Sequence, residues 1–375
     1  MIPRLIENQL EQAIFKGKVI HIPGARQVGK TTLLKQFVAT HNFKTLWLNG
    51  DEPDVRQLFD KATSSGLKSL IGDYEMIVID EAQRIINIGL TLKILVDNFP
   101  ERQVIATGSS AFELANSISE SRTGRKIELF LYPLSYDEML GVSSSLEENR
   151  FLNERLIYGY YPEVVTDPTS KINILKSLSE AYLYKDIFLF ENIKKPLLVE
   201  KILQALALQI GNEISFHELG QIIGADNKTV ERYINLLEKA YIIFSLPSLS
   251  RNMRNEIKKG RKVYFFDNGI RNAIIRNFNP LNLRQDIGAL WENFLISERI
   301  KYGDYNNLWV NRFFWRTHGQ QEIGYIEEGH GILNAFEFKW SEKKKGNIPK
   351  SFEKHYPNSK FTSINKSNFQ QFIHA

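Results

Sequence analysis

The sequence contains no cysteine. Disulfide bonds, thiol nucleophiles and zinc sites built on cysteine thiolates are therefore excluded. It also lacks any apolar run near the ~20 residues that a membrane-spanning helix needs, so no membrane partner is expected. The opening residues, MIPRLIENQLEQAIFKG, have no signal-peptide apolar core. They read as an amphipathic helix with Leu5, Ile6, Leu10 and Ile14 on one side, and a reducing cytoplasm is the expected location. No charge sign dominates: 48 Lys and Arg oppose 43 Asp and Glu. The net +5 permits a nucleic-acid or nucleotide partner without requiring one.

What is present points to a globular chain. Its 375 residues, 43% of them hydrophobic, suffice for two or three domains. Strand and helix signals alternate through residues 1–140, which predicts a parallel α/β sheet. The strand candidates are KVIHIPG, KTLWLNGD, YEMIVIDEA, RQVIATGSS and KIELFLYPL. Helical stretches TTLLKQFVATH, EPDVRQLFDKATSSG and LTLKILVDNF lie between them. Met76 to Ile79 are apolar throughout, as in a strand buried on both faces.

The first strand runs straight into Gly24, Ala25, Arg26, Gln27, Val28, Gly29, Lys30, Thr31 and Thr32. This is G-x-x-x-x-G-K-[ST] in the strand-to-helix setting that a phosphate-binding loop requires. The glycines let the backbone N–H groups face phosphate oxygens, and the next helix aims its positive end at the same place. Lys30 is expected to reach the β- and γ-phosphates of ATP, and Thr31 to ligate Mg²⁺. The third strand ends in Asp80, placed for the magnesium side, and Glu81, placed to activate the attacking water. The fourth ends in ATGSS, where Thr107, Ser109 or Ser110 senses the γ-phosphate, or Ser109 or Ser110 caps the next helix. Arg122 and Arg125 precede the fifth strand. They are either fingers toward a neighbouring subunit's γ-phosphate or solvated surface arginines.

Taken in order, GARQVGKTTLL, IVIDEAQ, ATGSSAFEL, TGRKIELFLYPLSYDEML and YGYYPEVV resemble the bacterial and archaeal AAA+ ATPases that carry a C-terminal domain of unknown function. The resemblance continues through YLYKDI, YFFDNGIRNAI and GALWENFLISE. It implies a P-loop NTPase sheet of order 5-1-4-3-2, and ATP at the subunit interfaces of a homo-oligomer. It matches the family's Gly-Arg to Gly124-Arg125, which makes Arg125 the better finger candidate and Arg122 the second. By the same analogy residues 141–195 form a helical lid, with the aromatic turn YGYYPEV packed on the ATPase core.

Residues 196–262 predict a winged helix-turn-helix. Phe216, Leu219, Ile222 and Ile223 form one apolar helix face; Val230, Tyr233, Ile234, Leu236 and Leu237 line a second helix. Lys228, Thr229, Arg232, Asn235 and Lys239 are expected outward, with Glu231 and Glu238 among them. The wing loop carries Arg251, Arg254, Lys258, Lys259, Arg261 and Lys262, either a track for a nucleic-acid backbone or a solvated hairpin tip. Winged helices also dock proteins, so the partner stays open.

Residues 263–375 contain the helix DIGALWENFLISERI, whose Leu290, Phe294, Leu295 and Ile300 are core candidates and whose Glu292 is a candidate carboxylate ligand. Strands NLWVNRFFWRTHGQ, QEIGYIEE and ILNAFEFKW follow. This order resembles an α+β restriction-endonuclease-like, PD-(D/E)XK nuclease fold, with Glu337-Phe338-Lys339 as its last element. Gly324 stands where the pattern needs aspartate, and Glu322 is one pleat off. A catalytically degenerate domain is expected, with Glu337 and Lys339 paired to each other. The expected function is Mg²⁺-dependent ATP hydrolysis by an oligomer, with nucleic acid as a candidate partner. The alternatives are a nucleotide-switched DNA- or protein-binding module with little turnover, and an ATP-regulated nuclease.

Overall fold

The computed structural model describes residues 2–60, 63–109, 124–181, 196–250, 260–317, 319–344 and 346–374. They divide into two compact units. The first holds the residues up to Leu134 together with Lys239–Tyr241; the second holds the others. Among the described residues no helix is long and apolar enough to cross a membrane.

The first unit is built on β1 (Val19–Pro23), β2 (Thr45–Asn49), β3 (Met76–Asp80), β4 (Gln103–Gly108) and β5 (Lys126–Glu128). They form a parallel sheet of order β2-β3-β4-β1-β5, which is the expected 5-1-4-3-2 read from the other edge. Every residue of β1, β3 and β4 is buried. That explains why these strands read as apolar runs rather than alternating patterns. Around them lie α1 (Ile6–Ala13), α2 (Lys30–His41), α3 (Pro53–Asp60), α4 (Ser64–Ile71) and α5 (Ile88–Asn98). The stretch expected as one helix, EPDVRQLFDKATSSG, contributes to two, because Thr63 caps a new start by accepting from the Gly66 N–H. Val55, Phe59, Leu67, Ile71, Leu92 and Leu95 pack with Ile77 and Ile79. Each such side chain contributes about 1.5–3 kcal/mol by leaving water.

The second unit opens with α6 (Tyr136–Leu140), α7 (Ser145–Tyr158), α8 (Pro162–Thr166) and α9 (Lys171–Ala181). Ser135 and Ser144 start α6 and α7 with capping boxes closed by Glu138 and Glu147. These helices belong to the same unit as the described residues that follow them up to Glu238. Within this unit the aromatic turn finds ring partners. Tyr158 stacks on Phe278 at 5.7 Å, and Tyr160 on Phe294 at 6.1 Å. The cause is the buried Asp267 carboxylate, which must find donors: it accepts from the Tyr160 N–H at 2.7 Å and the Ile270 N–H at 3.1 Å. Gly159 permits this approach, since a Cβ there would lie 2.1 Å from Asp267 Oδ1.

Next come α10 (Pro196–Leu208), β6 (Glu213–Ile214), α11 (Phe216–Ile223), α12 (Asn227–Lys239), β7 (Ile243–Pro247) and β8 (Arg261–Phe265). The three strands form an antiparallel sheet of order β6-β8-β7. Val230, Tyr233, Ile234, Leu236 and Leu237 are buried along α12. Ile222 is not part of the α11 core face: it is 63% exposed, while Leu219 and Ile223 turn inward.

The chain then forms α13 (Asn268–Ile274), the long α14 (Ile287–Tyr305), β9 (Asn311–Arg316), β10 (Glu322–Gly329), β11 (Ile332–Phe338), α15 (Lys350–His355), β12 (Lys360–Ile364) and α16 (Phe369–His374). The sheet order is β12-β11-β10-β9, with β11 and β12 parallel and the other pairs antiparallel. Arg299 ties α14 to this sheet. Its guanidinium forks onto both oxygens of Glu327 at 2.8 Å and donates to the Phe372 carbonyl at 2.8 Å.

Candidate nucleotide site and the C-terminal carboxylates

β1 delivers the chain to Gly24, where a Cβ would lie 2.1 Å from the Leu131 carbonyl oxygen. Only glycine passes there. Gln27 and Gly29 take positive φ, 55° and 99°, and curl the loop into the start of α2. No side chain caps α2, so its first N–H groups stay available to an anion. Lys30 is buried, and its Nζ donates to the Gly24 and Ala25 carbonyls at 2.8 Å each. Thr32 and Gln27 are exposed; Arg26 is half-buried.

Asp80 ends β3 and is buried. Thr31 Oγ1 donates to its Oδ2 at 2.7 Å, and Thr107 Oγ1 donates to its Oδ1 at 2.5 Å. Thr107 Oγ1 also accepts from the Glu81 N–H at 3.1 Å. Glu81 is half-buried, with φ +49° and its Oε2 accepting from Gln83 Nε2 at 2.5 Å. Ser109 is buried and accepts from the same Nε2 at 3.0 Å. The three hydroxyls of ATGSS thus part company: Thr107 goes to Asp80, Ser109 to Gln83, and Ser110 lies outside the described residues.

Arg125 does not approach this loop in its own chain. Its carbonyl accepts from the Val19 N–H, at the opposite end of β1, and its Nε pairs with Asp97 at 2.8 Å. Arg122 lies outside the described residues.

Two participants had almost no sequence signal. Arg4, a single arginine within MIPRLI, donates to the Val28 carbonyl at 2.7 Å and to the Tyr132 carbonyl at 2.6 Å. It braces the middle of the phosphate loop against the segment after β5. Gln83 follows the Asp-Glu pair and reads as an ordinary polar residue of a turn.

The residues fit ATP with magnesium. Thr31 and Asp80 are hard oxygen donors side by side, the one or two protein ligands that Mg²⁺ takes when phosphates supply others. The curled loop and uncapped helix start fit a polyphosphate. Residues 16–140 match the family model of an AAA domain. The match supports a nucleotide-binding, AAA-type ATPase. Residues 149–281 match a Domain of unknown function (DUF8612), and residues 287–374 match a Domain of unknown function (DUF4143).

An uncharacterised protein of Haemophilus influenzae is 26% identical over 299 residues, 72% of this chain and 73% of its own length. One of Mycobacterium tuberculosis is 26% identical over 347 residues, 88% of this chain and 72% of its own. Among solved structures, the Thermotoga maritima RuvB Holliday junction branch migration motor is similar with a TM-score of 0.34 and 14% identity, covering 68% of this chain and 94% of its own. Drosophila ORC bound to AT-rich DNA and Cdc6 gives 0.25 and 12%, covering 72% and 92%.

In the second unit the expected nuclease-like carboxylates are held by neighbouring side chains. Glu337 pairs with Lys339 at 2.6 Å. Lys262 is buried; its Nζ donates to Glu322 and lies 3.5 Å from Glu292 Oε1. Tyr264 donates to the same Glu292 oxygen at 2.6 Å. Burial opposes the charge of Lys262, but Glu292 and Glu322 outweigh it and hold the pKa above the usual lysine value. Lys262 is therefore no part of an exposed wing cluster, contrary to the expectation. Arg261 lies over the Phe216 ring at 5.9 Å, and Arg251, Arg254, Lys258 and Lys259 lie outside the described residues. On α12, Lys228, Glu231, Arg232, Asn235 and Lys239 are exposed as expected. Thr229 instead turns back to bond Asp226, and Glu238 accepts from Ser245. Among the described residues no three His, Asp or Glu side chains converge as metal ligands.

Proposed function

We propose that this protein binds ATP with Mg²⁺ at Gly24–Thr32 and hydrolyses it to ADP and phosphate as a homo-oligomer. The observation that carries the reading is the Thr31–Asp80 hydrogen bond, 2.7 Å, which joins the helix after the phosphate loop to the end of a buried strand. Lys30 exchanges its bonds to Gly24 and Ala25 for phosphate oxygens. Thr31 and Asp80 would hold Mg²⁺, which would supply neutralisation of the nucleotide's phosphate charge. Glu81 takes a proton from the attacking water. The water oxygen bonds to the γ-phosphorus, the bond to the β,γ-bridging oxygen breaks, and ADP leaves with that electron pair.

Arg125 serves a neighbouring subunit's site. Its position at the far end of β1 from its own loop supports a role in trans. The β6-β8-β7 sheet with α10, α11 and α12 supports a winged helix over residues 196–262. Its exposed Lys228, Arg232 and Lys239 are the candidate contacts to nucleic acid, with exposed Glu231 opposing them. The four-stranded sheet with α14 supports a nuclease-like domain whose carboxylates serve structure rather than metal. Residues 1–140 are then the ATPase core, 141–195 a helical lid and 263–375 the C-terminal domain.

Phosphate release tests the central claim. Lys30→Ala and Glu81→Gln should each lower turnover by about 100-fold or more. Wild-type rates in both would remove the reading. Mixing Lys30→Ala chains with Arg125→Ala chains should restore part of the activity, because mixed interfaces pair an intact loop with an intact arginine. No recovery at any ratio would remove the trans arginine.

A further inference from the structure

Gln83 has no place in the mechanism above, yet it is built into the site. It lies buried in the 3₁₀ turn Ala82–Arg84 that follows Glu81. Its Nε2 donates at once to Glu81 Oε2, 2.5 Å, and to Ser109 Oγ, 3.0 Å. A carboxylate only accepts, so the amide nitrogen must face Glu81. The amide oxygen is then turned elsewhere, buried and without a hydrogen-bond partner among the described residues. An unpaired buried acceptor costs about 1–3 kcal/mol. The fold retains that cost beside a glutamate held at φ +49°, itself a conformation that non-glycine residues seldom adopt.

The bond also continues toward the loop. Ser109 follows Gly108, the last residue of β4, and the Gly108 carbonyl accepts from the Gly24 N–H at 3.2 Å. Gly24 is the first residue of the phosphate loop. A line of contacts therefore runs from the loop through Gly108, Ser109 and Gln83 to one oxygen of Glu81. The other oxygen, Oε1, has no hydrogen-bond partner among the described residues.

We propose that Gln83 is the positioning residue for Glu81: it fixes Oε2 to the end of β4 and leaves Oε1 to take the proton of the attacking water. The inference rests on the reading of Glu81 as the base. A free glutamate samples many rotamers, and ordering it costs up to about 1.5–2 kcal/mol. Gln83 removes that disorder before ATP arrives, which is how a preorganised base gains rate.

The test uses the full chain with ATP for turnover and a fluorescent ATP analogue for binding. Gln83→Ala deletes the amide; Gln83→Glu keeps its size and replaces the bond with repulsion, so it carries the test should truncation unfold the protein. Both should lower kcat about 10- to 100-fold, with the analogue's Kd within about twofold of wild type. In a Glu81→Gln background, Gln83→Ala should add no further loss. An unchanged or raised kcat in Gln83→Glu with binding intact overturns the proposal. So does a loss that falls equally on binding, or one that adds in full to Glu81→Gln. Wild-type turnover by Glu81→Gln alone overturns the base itself, and is read separately from the Gln83 variants.

Discussion

The Glu292 carboxylate lies against Gly324: a Cβ built on that glycine would be 3.2 Å from Glu292 Oε1 and 3.4 Å from Oε2. Glu292 is not free to withdraw, because Tyr264 and Lys262 hold the same oxygen. Gly324→Asp, which completes the nuclease-like pattern on paper, should therefore bring a second carboxylate into a filled space. The expected loss is about 1–3 kcal/mol of stability from overpacking alone. Urea titration measures it, and a variant as stable as wild type would mean that Glu292 moves aside.

Lys262 separates a structural ammonium from a phosphate contact. Lys262→Met should leave Glu292 and Glu322 without their shared cation and destabilise by about 1–3 kcal/mol. If nucleic acid binds, a backbone-contacting lysine would instead reduce the salt dependence of binding and leave stability intact. Comparing Lys262→Met with Arg232→Ala in both assays decides which residue does which.

Arg4 holds two carbonyls that converge from opposite sides, Val28 on the loop and Tyr132 beyond β5. Arg4→Ala should weaken nucleotide binding about tenfold by loosening the loop. Arg4→Lys should recover only part, since one ammonium does not reproduce the fork. Titration of a fluorescent ATP analogue checks both, and full recovery by lysine would argue that charge alone matters.

Thr31→Ala should raise the Mg²⁺ concentration needed for half-maximal ATP turnover by about tenfold or more, because Asp80 loses its hydroxyl partner on the metal side. A magnesium titration at fixed ATP reads this directly. An unshifted curve would remove Thr31 from the metal site.

Asp286 gives a pH signature in the second unit. It accepts from Arg284 at 2.8 Å and from Arg271 at 2.5 Å. Burial opposes its charge, but the two guanidiniums prevail and hold its carboxyl at about 2. The unfolded value is near 3.9, so the folded state binds its proton less readily. The resulting stability is fully present above about pH 4 and is lost as pH falls toward about 2. Asp286→Asn should cost at least about 2 kcal/mol near pH 7, and the difference from wild type should shrink below about pH 4. Thermal melts of both proteins across that range test the sign.

The sequence alone determined the parts whose chemistry is local. Gly24 to Thr32 declare a phosphate loop because the curl, the lysine and the helix start all lie within nine consecutive residues. β3 declares itself because burial on both faces demands an unbroken apolar run ending at Asp80. Tertiary structure decided what depends on partners distant in the chain. Lys262 reads as one more cation of a basic loop until Glu322, sixty residues later, turns it inward. Tyr158 and Tyr160 give no sign in the sequence of Phe278, Phe294 and Asp267, more than a hundred residues later, which meet them in the fold. Arg4 and Gln83 carry no spacing signal at all. Their roles come from where one donor can meet two acceptors, and only the folded backbone fixes those positions.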